Sequence, residues 1–244
     1  MKIKDSIALV TGANRGIGRA FVDALLNMGA KKIYATARDV TALDELKAAE
    51  GERIVPVQLD VTRSEMIDAA AKKAGDLTLL INNAGVAMFA GLIAAGDIKA
   101  ARAEMEVNYF GPLNMTRAFA PILAANGGGG VVNLCSIASY VNFPALGSYS
   151  ASKAAVHSLT QAIRAELAAQ ATQVTGVYPG PVDTDMAENF PMKKTPPWEV
   201  AEAVLAAVDA GEEDVYPDAM SVEIHDGLLT DPKAIEKQVG EMLP

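Results

Sequence analysis

Short apolar runs alternate with helix-spaced apolar stripes along most of the chain. Ser6 to Val10 is such a run, and a glycine-rich turn, Thr11–Gly12–Ala13–Asn14–Arg15–Gly16–Ile17–Gly18, follows at once. From Ile17 the apolar residues fall at Ala20, Phe21, Ala24, Leu25 and Met28, the stripe of one helix face, and Gly29 is a natural stop. Lys32–Ala37, Ile54–Leu59, Leu77–Ile81, Val131–Leu134 and Gln173–Tyr178 read as further strands. Helical patterns fill the gaps at Thr41–Ala49, Ser64–Ala74, about Asp97 to Ala125, and Ser150–Ala169. After Pro179 the pattern loosens: Asp183–Pro197 has no clear period, and Trp198–Ala210 reads as a helix. Val215–Tyr216 or Met220–Ile224 reads as a last strand, and the polar tail, Thr230 to Pro244, as a short helix from Asp231. Strands alternating with helices imply parallel pairing with right-handed crossovers, a doubly wound α/β sheet with helices on both faces. No internal repeat or linker interrupts residues 1–244, so a single domain is expected; Gly127–Gly130 reads as a plain loop.

Composition agrees with that architecture. A chain of 244 residues can bury a sizeable core. Half its residues are hydrophobic and only 5% aromatic, which suits aliphatic helices packed on a buried sheet. The formal net charge of −9 weighs against a nucleic-acid partner, so any anionic ligand must be held by local donors. Cys135 is the only cysteine, which excludes an intramolecular disulfide; it reads as an inert core thiol in a reducing compartment. The apolar run in MKIKDSIALVTG is too short for a signal peptide, and no stretch approaches the roughly 20 apolar residues of a membrane span. A soluble, cytoplasmic protein is expected, with no membrane partner.

Candidate chemistry concentrates between Val131 and Ala155. Tyr149 and Lys153 are four residues apart, so on a helix they lie one above the other. An ammonium there is expected to favour the phenolate and lower the tyrosine pKa toward the operating pH, where proton transfer is efficient. Ser136, just past a buried strand, can hydrogen-bond the same oxygen. Together the three suit protonation or deprotonation of an oxygen while a hydride moves at its carbon. The glycine turn after the first strand offers backbone N–H groups and a positive helix end to a pyrophosphate, although its spacing is Gly-x3-Gly-x-Gly. Where NAD-type sites carry a carboxylate after the second strand, this chain has Thr36–Ala37–Arg38. Arg38, with Arg15 inside the turn, suits a 2′-phosphate, so NADP(H) is preferred over NAD(H); Asp39 muddies the local charge without taking the ribose position.

These residues, in order, resemble the short-chain dehydrogenase/reductase family in its compact single-domain branch. The resemblance rests on Thr11–Gly12–x3–Gly16–Ile17–Gly18, Asn82–Asn83–Ala84–Gly85, Asn108, Ser136, Tyr149–x3–Lys153 and Pro179–Gly180–x–Val182–x–Thr184, and covers roughly residues 6 to 185. It implies a Rossmann-type, seven-stranded parallel sheet in the order 3-2-1-4-5-6-7. It implies a cofactor site from Gly12, Asn14, Arg15, Gly16, Ile17 and Gly18 in the turn, Arg38, and Asp60 with Val61 near the adenine. Asn83, Ala84 and Gly85 would line the adenosine side, Val182 and Thr184 the carboxamide, and Lys153, beside Tyr149, the nicotinamide ribose. Asn108 can also be read from below. It lies four residues before Pro112, which lacks an N–H, so the Asn108 carbonyl loses its helical partner and a kink is expected. In the family a water there joins the asparagine to the lysine, which would make Asn108–Lys153–Tyr149 a proton relay; Ser136, Tyr149, Lys153 and Asn108 are thus the implied catalytic set.

The expected reaction is reversible NADPH-dependent hydride transfer to a carbonyl, a carbonyl reductase or secondary alcohol dehydrogenase. A lid around residues 183–198 carries Met186, Phe190, Met192 and Trp198; with Val141, Phe143 and Met88 these suggest an apolar pocket for a hydrophobic ketone or alcohol. His157 and His225 are read as surface or satisfied core positions rather than metal ligands. Asp183, Asp185 and the Glu212–Asp214 cluster are read as solvated loops and a turn. An isomerase or dehydratase retaining its cofactor is disfavoured by the short length and glycine spacing. A non-catalytic NADP(H)-binding regulator on the same fold is the alternative, although such proteins tend to lose the tyrosine, lysine or serine. The resemblance implies a homodimer or homotetramer packed through the Ala-rich helices around Asn108 and after Tyr149, stripes that would equally serve a monomer's core.

Overall fold

Seven strands form one parallel sheet: β1 (Ile7–Val10), β2 (Lys32–Ala37), β3 (Ile54–Gln58), β4 (Leu79–Asn82), β5 (Gly129–Leu134), β6 (Thr172–Val177) and β7 (Asp214–Val215), in the order β3-β2-β1-β4-β5-β6-β7. The computed structural model describes residues 1–188 and 190–242. Asn189, inside the expected lid, and Leu243 and Pro244, at the end of the expected tail, lie outside the described residues. Successive strand residues point to opposite faces, and both faces are apolar. Ala8, Val10, Leu79, Ile81, Val132 and Leu134 face one core, shared with Phe21, Leu25 and Leu26 of α1 (Gly16–Asn27) and Val204, Leu205 and Val208 of α7 (Pro197–Ala210). Leu9, Leu80, Val131 and Val174 face the other, against α3 (Ser64–Lys73), α5 (Gly111–Ala125) and α6 (Gly147–Leu167). Each fully buried Leu or Phe, such as Leu25 or Phe119, contributes ~1.5–3 kcal/mol. The shorter α2 (Asp44–Glu50) follows β2 through a 3-10 turn, Val40–Leu43.

The chain winds outward from β1 to β3, returns to β4 beside β1, and then winds the other way. A crevice therefore opens at the carboxyl ends of β1 and β4, where such sheets bind ligands. Thr11 locks the two strand ends together: its hydroxyl donates to the Ile81 carbonyl at 3.3 Å and accepts from the N–H groups of Asn83 and Ala84 at 2.8 and 2.9 Å.

Two elements differ from their sequence reading. The single helix expected over Asp97–Ala125 is three pieces: α4 (Lys99–Glu104), a π-helical segment Met105–Phe110, and α5. Pro112 cannot donate to Asn108, and the register slips there instead, with the Gly111 N–H reaching back five residues to the Glu106 carbonyl. The last strand falls at Asp214–Val215, whereas Met220–Ile224 lies inside α8 (Ala219–Thr230). Asp218 starts that helix: its carboxylate accepts the Ser221 N–H at 2.8 Å, and the Ser221 hydroxyl lies 3.1 Å from the Asp218 N–H, which overrides the strand-like alternation. The tail folds as α9 (Pro232–Gly240), whose Ile235 and Val239 pack with Ile137, Ala138 and Phe143. No helix among the described residues is long and apolar enough to cross a membrane.

Candidate active site

The turn after β1 wraps the start of α1 so tightly that side chains are excluded. Gly12 and Gly16 adopt φ of +66° and +55°, in the left-handed region that favours glycine, and a Cβ on Gly18 would stand 2.0 Å from the Gly12 carbonyl oxygen. No side chain caps α1 and its first turn holds no carboxylate, so its N–H groups remain for a ligand. This bare backbone cradle fits the pyrophosphate of a dinucleotide. Beyond it, Arg38 makes no ion pair with any described residue, and Asp39, which also lines the cleft, accepts with its carboxylate from the Thr41 N–H and hydroxyl. Partial burial pushes the Asp60 carboxyl up, but hydrogen bonds from Thr62, then the charges of Arg38 and Arg63, outweigh it and hold the group below its usual range. Arg15 does not stand free beside Arg38: its guanidinium pairs with Asp185 at 2.5 Å, so that carboxylate is not merely solvated. Both partners are about two-thirds exposed, and such a pair is worth under ~1 kcal/mol.

β5 delivers Ser136 to the middle of the crevice, where it caps the 3-10 turn Ile137–Ser139 by accepting the Ala138 N–H at 3.1 Å. A second 3-10 turn, Pro144–Leu146, leads into α6, so Tyr149 occupies its first turn, with Lys153 one turn further on. Lys153 is 5% exposed, donates to the Leu134 carbonyl at 2.6 Å, and lies 5.7 Å from the centre of the Tyr149 ring. Burial lowers Lys153 to about 8 and pushes Tyr149 up to about 12; a hydrogen bond with Ser136 opposes the rise, and the charges of Cys135 and Glu104 add to it. The expectation that Lys153 sets the tyrosine below its free value is thus corrected: burial of the phenolate dominates.

Among the expected catalytic and cofactor-binding residues, Asn108 alone does not line the cleft. Its amide oxygen accepts the Val86 N–H at 2.8 Å, and its amide nitrogen donates to the Val86 carbonyl and the Ser152 hydroxyl, each at 2.9 Å. It approaches Lys153 across Gly85, where a Cβ would lie 3.2 Å from the Asn108 oxygen and 3.7 Å from the lysine nitrogen. The other residues meet at one cleft of about 1170 Å³: Gly12, Asn14, Arg15, Gly16, Ile17, Gly18, Arg38, Asp60, Val61, Asn83, Ala84 and Gly85 at one end, Ser136, Tyr149 and Lys153 in the middle, Val182 and Thr184 beside them.

The far end is apolar. Phe143, Met186, Phe190 and Met192 line it as expected, and the Phe190 ring meets Phe89 edge-on at 5.6 Å. Val141, Met88 and Trp198 do not: Val141 is buried, and the other two turn outward, 52% and 56% exposed. Phe89, Leu146, Met220 and Met242 take their place; no local motif marks them, because α8 and the tail bring Met220 and Met242 in from a distance. The tail is tied down where the Ala145 N–H donates to the Met242 carbonyl at 3.1 Å. Cys135 is buried and its thiol is pushed up to about 11. His157 bonds the Tyr178 hydroxyl at 2.8 Å, and His225 lies 3.2 Å from Asp226. Among the described residues, no group of three or more His, Cys, Asp or Glu could hold a metal ion.

Known proteins share this architecture. The sequence pattern of the family described as short chain dehydrogenase matches residues 6–195. An uncharacterised oxidoreductase of Staphylococcus saprophyticus is 34% identical over 219 residues, covering 85% of this chain and 93% of the relative. A short chain dehydrogenase from Burkholderia cenocepacia, solved in complex with NADP, superposes with a TM-score of 0.93 at 46% identity, over 98% of this chain and 99% of that one. A short chain dehydrogenase/reductase from Burkholderia phymatum, in complex with NAD, superposes with a TM-score of 0.83 at 26% identity, over 94% and 96%. With that match over most of its length, and with the family's sheet and cleft in place, the chain belongs to the short-chain dehydrogenase/reductase family, oxidoreductases whose fold binds a nicotinamide cofactor.

Proposed function

We propose that the protein is an NADPH-dependent carbonyl reductase, or in reverse a secondary alcohol dehydrogenase, acting on a hydrophobic ketone or alcohol. One observation carries this reading: Ser136, Tyr149 and Lys153 meet in the middle of a single cleft, between a bare glycine cradle and an apolar wall. Gly12, Asn14, Arg15, Gly16, Ile17 and Gly18 would hold the pyrophosphate side, Arg38 the 2′-phosphate, Asp60 and Val61 the adenine, Asn83, Ala84 and Gly85 the adenosine side, and Val182 and Thr184 the nicotinamide. The bound cofactor supplies the hydride. In the reducing direction Tyr149, protonated at neutral pH, gives its proton to the carbonyl oxygen as the hydride arrives. Ser136 donates a second hydrogen bond to the same oxygen. Lys153 opposes the negative charge left on Tyr149 and reaches the ribose, and Asn108, across Gly85, supports the lysine in a route for protons to solvent. The preference for NADPH draws support from Arg38, which has no ion-pair partner among the described residues, and from the NADP found in the Burkholderia cenocepacia relative. Residues 183–198 serve as the substrate lid. Tyr149→Phe should lower turnover by ~10²–10⁴-fold while NADPH still binds, measured by loss of nicotinamide absorbance and by fluorescence titration. Near-normal turnover in that variant would sink the assignment.

A further inference from the structure

Glu104 ends α4 with its side chain fully buried, where a carboxylate is rarely found without a partner. One of its oxygens accepts the Met88 N–H at 2.7 Å, and the other has no hydrogen-bond partner among the described residues. One turn further on, Asn108 accepts from and donates to the backbone of Val86. Two side chains from successive turns therefore hold alternate peptides of the segment that leaves β4. Val86, Ala87 and Phe89 of this segment line the cleft. Phe89, directly after the anchored Met88, adopts φ +51°, a left-handed conformation that residues with a side chain avoid, and its ring meets Phe190 of the lid.

Burial is the main cause of the raised Tyr149 pKa, and the Glu104 carboxylate adds to it. The other titratable groups facing Tyr149 are Lys153, from its own helix, and Cys135, from the end of β5.

We propose that Glu104 is a positioning residue for the reaction: one oxygen fixes the Val86–Phe89 wall on which substrate and lid close, and its carboxylate is, besides Lys153, a second electrostatic partner of Tyr149. This rests on the reading of Tyr149 as the proton-transfer group. Two variants separate the roles. Glu104→Gln keeps an oxygen for the Met88 N–H but removes the charge; Glu104→Ala removes both. With Glu104→Gln, the rising limb of kcat/KM for alcohol oxidation against pH should move down by at least about 0.3 units, while KM for the alcohol stays within about twofold. A merely structural role would leave that limb in place. With Glu104→Ala the limb should move likewise and KM should rise about fivefold or more, as for a lost buried hydrogen bond. An unshifted limb in Glu104→Gln, with Tyr149→Phe inactive, overturns this inference alone. Turnover surviving in Tyr149→Phe overturns it together with the reading it rests on. Should Glu104→Ala fail to fold, the Glu104→Gln profile still decides.

Discussion

At one end of the cleft the chain offers backbone and charge, through Gly12, Gly16, Gly18 and the guanidinium of Arg38; at the other it offers rings and thioethers, from Phe89, Phe190, Met192, Met220 and Met242. The first end is assembled largely from the ends of β1 and β2 and is held by main-chain geometry. The second draws on the segment after β4, the stretch around Met186–Met192, α8 and the tail. Backbone cradles tolerate almost no change, because added atoms strike atoms that cannot move. An apolar wall of flexible methionines can repack around different shapes. The contrast suits a shared cofactor at the first end and a substrate particular to this chain at the second.

Substitutions at each end sharpen the contrast. The largest effect is expected at Gly18→Ala, whose new Cβ would meet the Gly12 carbonyl oxygen at 2.0 Å. Overpacking against backbone that cannot yield costs ~3 kcal/mol or more, so NADPH binding should weaken by about a hundredfold or more and the melting temperature should fall. Next is Arg38→Ala: removing one charge-assisted contact worth ~1.5–3 kcal/mol should lower the NADPH-over-NADH ratio of kcat/KM about ten- to hundredfold. An unchanged ratio would place phosphate recognition elsewhere. The smallest is Phe190→Ala, which loses an edge-on ring pair worth ~0.5–1.5 kcal/mol and should raise KM for a bulky apolar ketone a few-fold. NADPH affinity should not follow; if it did, the two ends would not be separable.

The same division explains how much could be read from the sequence. Strands and glycine turn were legible because parallel strands buried on both faces are continuous apolar runs, and because Gly12 and Gly16 mark backbone that other residues avoid. Tyr149 and Lys153 were legible as neighbours, since one helical turn fixes their relation. Their ionisation was not: it depends on how deeply the fold buries them, and burial pushes the tyrosine up and the lysine down. Met220 sits in a stretch that alternates like a strand, and only the Asp218–Ser221 pairing reveals a helix there. Glu104 looks in sequence like any polar residue on a helix surface, and only the folded chain, which brings the Met88 N–H onto its carboxylate, buries it.

The most direct test of the account is the initial rate of nicotinamide oxidation with a panel of apolar ketones, with NADPH and NADH run side by side on the unmodified protein. Turnover of several apolar ketones, with kcat/KM at least about tenfold higher for NADPH, is the predicted result. Tight NADPH binding without turnover of any ketone, or equal use of NADH, would contradict it.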